Sequence, residues 1–301
     1  RRQRQMCIRD SAGTDNSGSV ASAMGNGTTA SGNESTAMGY DTTASAEAST
    51  AMGYSTTASA QGSTAMGKLT TASAKASTAM GQSTTASAAF TTAIGYNTTA
   101  SGSYSTAMGR YTTASGFTST AMGWSTTASD YSSTVIGQYN SSGSSETSAN
   151  SFSTSAPAFV IGNGTSGSLS DAFKVMFNGD ATVSNDLTVS GDVVISSDAR
   201  LKSNIVSLGS TLPKLLQIDG KSYEMKGKQK IGVLAQEIQE VFPELVSEDD
   251  NEMLAVNYQG LVPVLINALK EQDAKLNEQE TKYMEQEQRL ERLERLVANM
   301  D

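Results

Sequence analysis

The sequence has no His, a single Cys, four Pro and one Trp among 301 residues. Without His, no Ser/His/Asp or Cys/His nucleophile system and no His-bearing zinc site can be built, and one Cys makes neither an internal disulfide nor a thiolate cluster. Any catalysis has to use other groups, and neither a metal nor a cofactor is expected. Aromatic residues make up 6% of the chain and apolar residues 37%, and no apolar run approaches the roughly 18 to 20 residues that span a bilayer. A formal net charge of −9 argues against a phosphate-binding surface. Partners in nucleic acid and insertion into a membrane are therefore not expected.

What charge there is lies unevenly. From Asp198 to Asp301 there are 13 Lys/Arg and 19 Asp/Glu, which is 32 of the 51 charges. That places a compositional boundary near residue 197. Residues 1–11, with Arg1, Arg2, Arg4, Cys7 and Arg9, match neither half and read as a non-native, adapter-derived segment.

Between these lies a repeat. Met24, Met38, Met52, Met66, Met80, Ile94, Met108, Met122 and Ile136 stand 14 residues apart, each followed by Gly, in a unit S-T-A-M-G-x-x-T-T-A-S-x-x-x. Thr, Ser and Gly dominate and no apolar stripe recurs at 3.5 or 3.6 residues, so the period belongs to strands. Two short strands and two tight turns fit 14 residues, with Gly permitting a sharp corner after Met. Such coils stacked at ~4.8 Å form a solenoid over residues 12–140. Each offers only Met and some Ala to its interior, thin support against the backbone entropy of ordering it. Association of several chains is the remedy.

The unit S-T-A-M-G-x-x-T-T-A-S resembles the left-handed parallel β-roll repeat of trimeric autotransporter adhesin heads. The resemblance covers about residues 17–140 and implies a homotrimer with Met or Ile facing inward. It also implies that the variable positions Tyr40, Tyr54, Lys68, Gln82, Tyr96, Arg110 and Trp124 are open to a host receptor or glycan.

From Gln138 to Ser155 the repeat gives way to Ser, Asn and Gly, and the register ends. Residues 141–196 then read as a neck or shaft: A-F-V-I-G-N-G-T, D-A-F-K-V-M-F-N-G-D-A-T-V and D-L-T-V-S-G-D-V-V-I are short strands separated by Asn163-Gly164, Asn178-Gly179 and Ser190-Gly191 in a hairpin pattern.

S-D-A-R-L-K begins at Ser197, five residues before Lys202. A Ser hydroxyl needs a base, and a desolvated neutral Lys can serve where no His exists. Five residues place the two side chains on opposite faces of a strand and about 140° apart on a helix. Either a turn intervenes or the Lys comes from another subunit. With I-G-V-L-A-Q-E from Ile231, V-F-P-E-L-V, and V-N-Y-Q-G-L-V-P-V-L-I-N-A-L-K-E from Val256, the cassette resembles the endosialidase-type intramolecular chaperone domain of phage tailspikes and fibres. That resemblance implies Ser197 as nucleophile, Lys202 as general base and the Ser196–Ser197 bond as the scissile one. Asp198, Arg200, Gly232, Gln236 and Glu237 are supporting candidates, and Ser196 is a competing nucleophile. The self-cleaving domain is set at residues 197–268.

Val262, Leu269, Leu276, Tyr283, Leu290 and Val297 recur every seven residues, with Leu265, Gln272, Gln279, Gln286, Leu293 and Met300 as companions, so residues 262–301 read as a coiled coil. The fold class expected is mainly β with a helical C-terminus: β-roll, β-rich neck, then an α+β domain ending in a coiled coil. The function expected is a trimeric fibre or spike protein, in a virion or on a cell surface, whose C-terminal domain templates trimerisation and removes itself in one Ser-Lys autoproteolytic event. A bacterial trimeric surface adhesin is the second reading, set behind the first because such adhesins end in a membrane barrel and this sequence ends in a charged helix. An ice-binding solenoid is a distant third, because adjacent Thr-Thr pairs place one hydroxyl per face.

Overall fold

The computed structural model describes residues 13–249 and 252–299, so the segment 1–11 with Cys7, and Met300 of the heptad series, lie outside the described residues. The chain divides into two compact units, Arg1–Asp192 and Val193–Asp301.

The first unit is a parallel β-roll. Nine five-residue strands from Ser22–Asn26 to Thr134–Gln138 pair in parallel register, and eight two-residue strands from Thr29–Ala30 to Thr127–Ala128 form a second sheet. Met24 lies beside Met38, Met38 beside Met52, and so on along the first sheet. Strand alternation turns Ser35 and Ala37 into the coil and Thr36 and Met38 out of it. This corrects the expected interior. The core is a column of fully buried Ala, from Ala30 to Ala128, lined with buried Thr and Ser and closed by Val135 and Val160. Met and Ile stand on the outer face of their own coil, half-exposed, because Ala already takes the inward position beside them in the strand.

The Gly after Met also has a different role from the one expected. It lies inside the five-residue strand rather than at the corner. At Gly53 φ is +128°, and a Cβ there would stand 1.9 Å from the Gly67 carbonyl oxygen. The corners come two residues later and again seven residues on, at left-handed residues such as Asp41 (φ 54°), Ala48 (φ 53°), Ser55 (φ 50°) and Leu69 (φ 56°). Left-handed backbone costs a non-Gly residue about 1 kcal/mol or more. Coil-to-coil hydrogen bonds hold it in place: Asp41 N–H donates to the Asn26 carbonyl and Ser55 N–H to the Tyr40 carbonyl, each at 2.8 Å.

Inside the coils several buried Ser hydroxyls donate to carbonyls, as Ser35 does to Gly32 O (2.7 Å) and Ser49 to Ala46 O (2.6 Å). The inward Thr does not: Thr42, Thr56, Thr70, Thr84, Thr98 and Thr112 are fully buried and their Oγ1 atoms have no protein partner.

The register does not end at Gln138. Pro157–Asn163 adds to the first sheet as a further parallel rung, with Val160 beside Val135 and Gly162 beside Gly137. The intervening loop lengthens the repeat from 14 residues to 25 between Ile136 and Ile161, which hides it from a fixed-period reading. That loop closes the second sheet. Asn140 accepts from Thr127 N (2.8 Å) and donates to Thr127 O (2.9 Å), replacing the next strand. Buried Asp130 accepts from Thr147 N (2.6 Å) and Ser148 N (2.7 Å).

Asp171–Met176 then pairs antiparallel with Pro157–Asn163 and with Ala181–Val183. The Asn178-Gly179 hairpin is present, but Asn163 and Asp171 are joined by a longer loop and the run Asp186–Ile195 forms no strand. Its apolar residues Leu187, Val189, Val193, Val194 and Ile195 are exposed: β-prone sequence without a neighbouring strand in one chain has nothing to pair with.

In the second unit, helices α1 (Leu212–Leu215), α2 (Ala235–Val241) and α3 (Leu261–Ala298) surround a small core of Ile238, Phe242 and Val264, with the antiparallel pairs Lys221–Met225/Lys228–Gly232 and Val246–Glu248/Leu254–Val256. α3 buries Val264 and Ala268 in this core. Its heptad residues Val262, Leu269, Leu276, Tyr283, Leu290 and Val297 lie elsewhere on the helix and are exposed.

Two stability predictions follow from the roll. Thr84→Val removes an unpartnered buried hydroxyl at nearly constant shape and is expected to stabilise by about 1 kcal/mol, read as a higher melting temperature at fixed scan rate. A lower one would mean that the hydroxyl is bonded. Asn140→Ala leaves Thr127 N and O unpaired at the end of the sheet and is expected to cost about 1–3 kcal/mol; an unchanged melting temperature would contradict the end-cap assignment.

Candidate functional site

Ser196, Ser197 and Lys202 lie on an exposed stretch at the start of the second unit. Asp198 is extended (φ −61°, ψ 134°) and caps the short 3-10 turn Ala199–Leu201, its carboxylate accepting from Arg200 N at 2.9 Å. The chain folds back over these three residues and leaves again extended at Lys202 (φ −120°, ψ 145°), whose N–H donates to Ala199 O at 3.1 Å. The consequence is a side-chain contact that neither a strand nor a helix could make at this spacing. Lys202 Nζ reaches Ser197 Oγ at 2.7 Å within one chain. The turn is one of the two routes left open by the five-residue spacing.

Arg200 doubles back on its own cap. Its Nε is 3.0 and 3.1 Å from the two Asp198 carboxylate oxygens and a terminal nitrogen is 2.7 Å from one of them. This bidentate pairing holds the Asp198 carboxyl below the usual carboxylate range and the guanidinium above its own. Both groups are exposed, so the pair adds little to global stability. Its effect is local: it fixes the turn that carries Ser197 and Lys202. Ser196 makes no side-chain hydrogen bond among the described residues, so the geometry distinguishes it from Ser197.

Gly232, Gln236 and Glu237 form a second cluster with partners of its own. Glu237 accepts from Asp219 N at 3.3 Å and pairs with Lys221 Nζ at 3.2 Å. Gly232 lies under two Tyr hydroxyls: a Cβ would stand 2.7 Å from Tyr258 Oη and 3.0 Å from Tyr223 Oη. Tyr258 Oη in turn accepts from Val233 N at 3.2 Å. Gln236 lines a cavity of about 330 Å³ with Tyr223, Met253 and Tyr258. Among the described residues no hydrogen bond joins this cluster to Ser197 or Lys202, and the arrangement is that of packing around the start of α2.

Sequence reasoning passed over Glu271, on α3. Its carboxylate accepts from the N–H groups of Thr211 and of Leu212 (3.2 Å) and from Ser210 Oγ (2.7 Å), satisfying the free donors at the start of α1. Thr211 Oγ1 completes the link by donating to Val264 O at 2.9 Å. Pro213 just inside α1 was the available signal, since it marks a helix start whose first N–H groups need an acceptor.

Residues 197–247 match the family described as chaperone of endosialidase, a peptidase family. Five segments, 17–42, 44–70, 72–98, 90–112 and 114–140, match the YadA head domain repeat. The chain thus carries a chaperone-of-endosialidase domain with YadA-like head repeats N-terminal to it, and the former implies a self-cleaving module. The long tail fiber protein Gp37 of Enterobacteria phage K3 is 34% identical over 96 residues, which is 28% of this chain and 8% of that protein. The same protein of Enterobacteria phage T2 is 34% identical over 96 residues, 7% of its length. The chain therefore spans under a tenth of the curated relatives it matches. YadA-like and tail-fibre relatives are in general homotrimeric. No helix of the described residues is long and apolar enough to cross a membrane.

Glu271 generates a pH prediction. Three hydrogen-bond donors, Thr211 first, lower its folded-state pKa. A depressed carboxyl stabilises the folded state above the unfolded value of about 4.3, and that contribution is lost as pH falls through the folded value. Glu271→Gln should melt below the parent chain at pH 7, and the gap should close as pH falls below about 4. A gap that widens in acid would refute the capping role.

Proposed function

We propose that this chain is part of a trimeric tail-fibre or tailspike protein of a virion, and that residues 197–268 template the assembly of three chains before leaving by one self-cleavage at the Ser196–Ser197 bond. The observation that carries the reading is the 2.7 Å contact between Lys202 Nζ and Ser197 Oγ, at the first residue of a segment that matches a self-cleaving family.

The chemistry follows from that placement. Neutral Lys202 takes the Ser197 Oγ proton as Oγ attacks the Ser196 carbonyl carbon. The Ser196–Ser197 C–N bond breaks, its nitrogen takes the proton back from the Lys202 ammonium, and Ser196 is left as an ester on Ser197 Oγ. Water then hydrolyses the ester, giving a carboxylate at Ser196 and a free amino group at Ser197. Each chain reacts once. Asp198 and Arg200 serve as positioning residues for the turn.

A lysine acts as a base only where loss of water favours its neutral form. In the single chain Ser197 and Lys202 are exposed, so the cover comes from neighbouring copies, which ties cleavage to completed assembly. The exposed heptad seam of α3 is the face on which three copies meet. Aligning three chains before a non-local β-fold zips up lowers the loop-closure cost of bringing distant strands together. Removing the template afterwards makes the assembly kinetically hard to reverse. A bacterial trimeric surface adhesin is the second reading, favoured by the five head-repeat segments.

The test is a denaturing gel with intact-mass analysis. Wild type is expected as fragments of 196 and 105 residues of the 301, while Ser197→Ala and Lys202→Ala stay whole; equal cutting of both variants sinks the dyad. Chains carrying Lys202→Ala, refolded with chains carrying Ser197→Ala, should remain uncut, because the contact lies within one chain. Cutting in that mixture would assign the Lys to a neighbouring copy.

A further inference from the structure

Between Lys75 and Asp130 the sequence holds one charged residue, Arg110. It follows Met108 and Gly109 on its strand, so the in-register sheet sets it beside Tyr96 of the preceding coil and Trp124 of the next. Its guanidinium carbon lies 5.7 Å from the Tyr96 ring centre, 5.5 Å from that of Trp124 and 5.2 Å from that of Tyr111, at the adjoining corner. Trp124 is the one Trp of the chain, and Tyr139 leans on it at 5.4 Å. Tyr96, Arg110, Tyr111 and Trp124 are exposed, and Tyr139 is partly so.

Two features set this patch apart from the other aromatics on the roll. Tyr40 and Tyr54 stack nearly parallel at 5.1 Å, as do Phe90 and Tyr104 at 5.0 Å, so each pair covers a ring face with a ring. Tyr104 and Phe117 also meet edge-on, at 63°, but without a cation; around Arg110 the edge-on or tilted rings, Tyr96 with Tyr111 at 87° and Trp124 with Tyr139 at 55°, surround one. The guanidinium, moreover, has no ion pair and no protein hydrogen-bond acceptor among the described residues. Three rings hold it in place while its N–H fork remains open to solvent.

We propose that Tyr96, Arg110, Tyr111 and Trp124 form a binding site for a carboxylate-bearing sugar of an acidic polysaccharide, which deepens the host-attachment reading above and rests on it. A planar fork held by aromatic rings suits a two-point hydrogen bond to a carboxylate. The negative ring faces suit the weakly positive C–H groups of a sugar. The patch carries a single positive charge, and the rungs beyond Tyr96 and Trp124 offer Gln82 and Gln138 at the same position. That matches one carboxylate per sugar unit, whereas an acidic protein surface needs several cations across roughly 800 Å². In a trimer the site occurs three times, so weak single contacts combine on a repeating polymer.

The test is binding of the intact trimeric chain, kept uncleaved by Ser197→Ala, to an array of neutral, carboxylated, sulfated and phosphorylated saccharides. Binding is expected at carboxylated saccharides, reduced at least ~10-fold by Arg110→Gln or Trp124→Ala and less by Arg110→Lys, which keeps the charge and loses the fork. Lys75→Gln, at an exposed cation outside the patch, should leave it unchanged. Absence of binding to carboxylated saccharides, equal binding by Arg110→Gln, or binding confined to neutral, sulfated or phosphorylated saccharides overturns the proposal. So does dissociation of the trimer by Arg110→Gln, which would make the patch a contact between copies. Cleavage and trimerisation of the parent chain, scored in parallel, separate the two readings: if the parent trimerises and cuts itself while the Ser197→Ala trimer ignores acidic saccharides, this site alone is sunk.

Discussion

The cross-section of each repeat coil up to Ala128 is set by inward Ala, Ser and Thr, and by a Gly at which a Cβ would collide with the carbonyl of the Gly in the next coil. A coil that narrow brings its two sheets together over Ala and leaves no space for Met inside. The larger apolar groups of the repeat are therefore forced outward, where one chain cannot cover them. Parallel hydrogen bonding between coils fixes the shape, but the apolar area a single chain removes from water is small, and burial is the main favourable contribution to folding. The half-exposed Met and Ile column is the apolar surface that the Ala interior leaves uncovered on the single chain.

The two ends of such a stack present unpaired backbone, and the C-terminal end is treated with care. Asn140 stands in for a missing strand at Thr127, and the buried Asp130 carboxylate gathers two N–H groups of the closing loop. In earlier coils the position of Asp130 is held by Gly116, Gly102 or Ala88, residues with no side-chain acceptor. One carboxylate therefore converts a repeating coil into a terminal one. The first sheet is not stopped but redirected, from parallel to antiparallel pairing at Pro157–Asn163. An open parallel edge there would invite further strands.

How much of this was legible depends on which physical quantity each feature follows. The 14-residue period, its two strands and the parallel stack are written in composition, because Ser, Thr, Ala and Gly recur at fixed spacing. The direction of Met was not, since strand alternation gives two faces without saying which is interior; Ala at 0% exposure and Met at 37–43% in the least covered coils resolve it. The rung at Pro157–Asn163 was missed because a loop insertion breaks the period while keeping the V-I-G core of the strand. The strand expected over Asp186–Ile195 has the right residues, but pairing is non-local and no partner strand is available to it. At the candidate site the spacing of Ser197 and Lys202 required a turn or a second subunit, and Asp198, a good cap residue, was the local signal for the turn seen at Ala199–Leu201. Glu271 could not be read in this way, because it acts on residues some 60 positions earlier.

α3 carries two separate apolar stripes. Val264 lies in the small core of its own unit, while Leu269, Leu276, Tyr283 and Leu290 project from the rest of the helix into solvent. One stripe cannot be both docked and open, so the heptad seam is uncovered because a different stripe meets the unit's own core. Three successive Gln, at 272, 279 and 286, weaken that seam along its middle. The seam is thus apolar at its two ends around a polar centre.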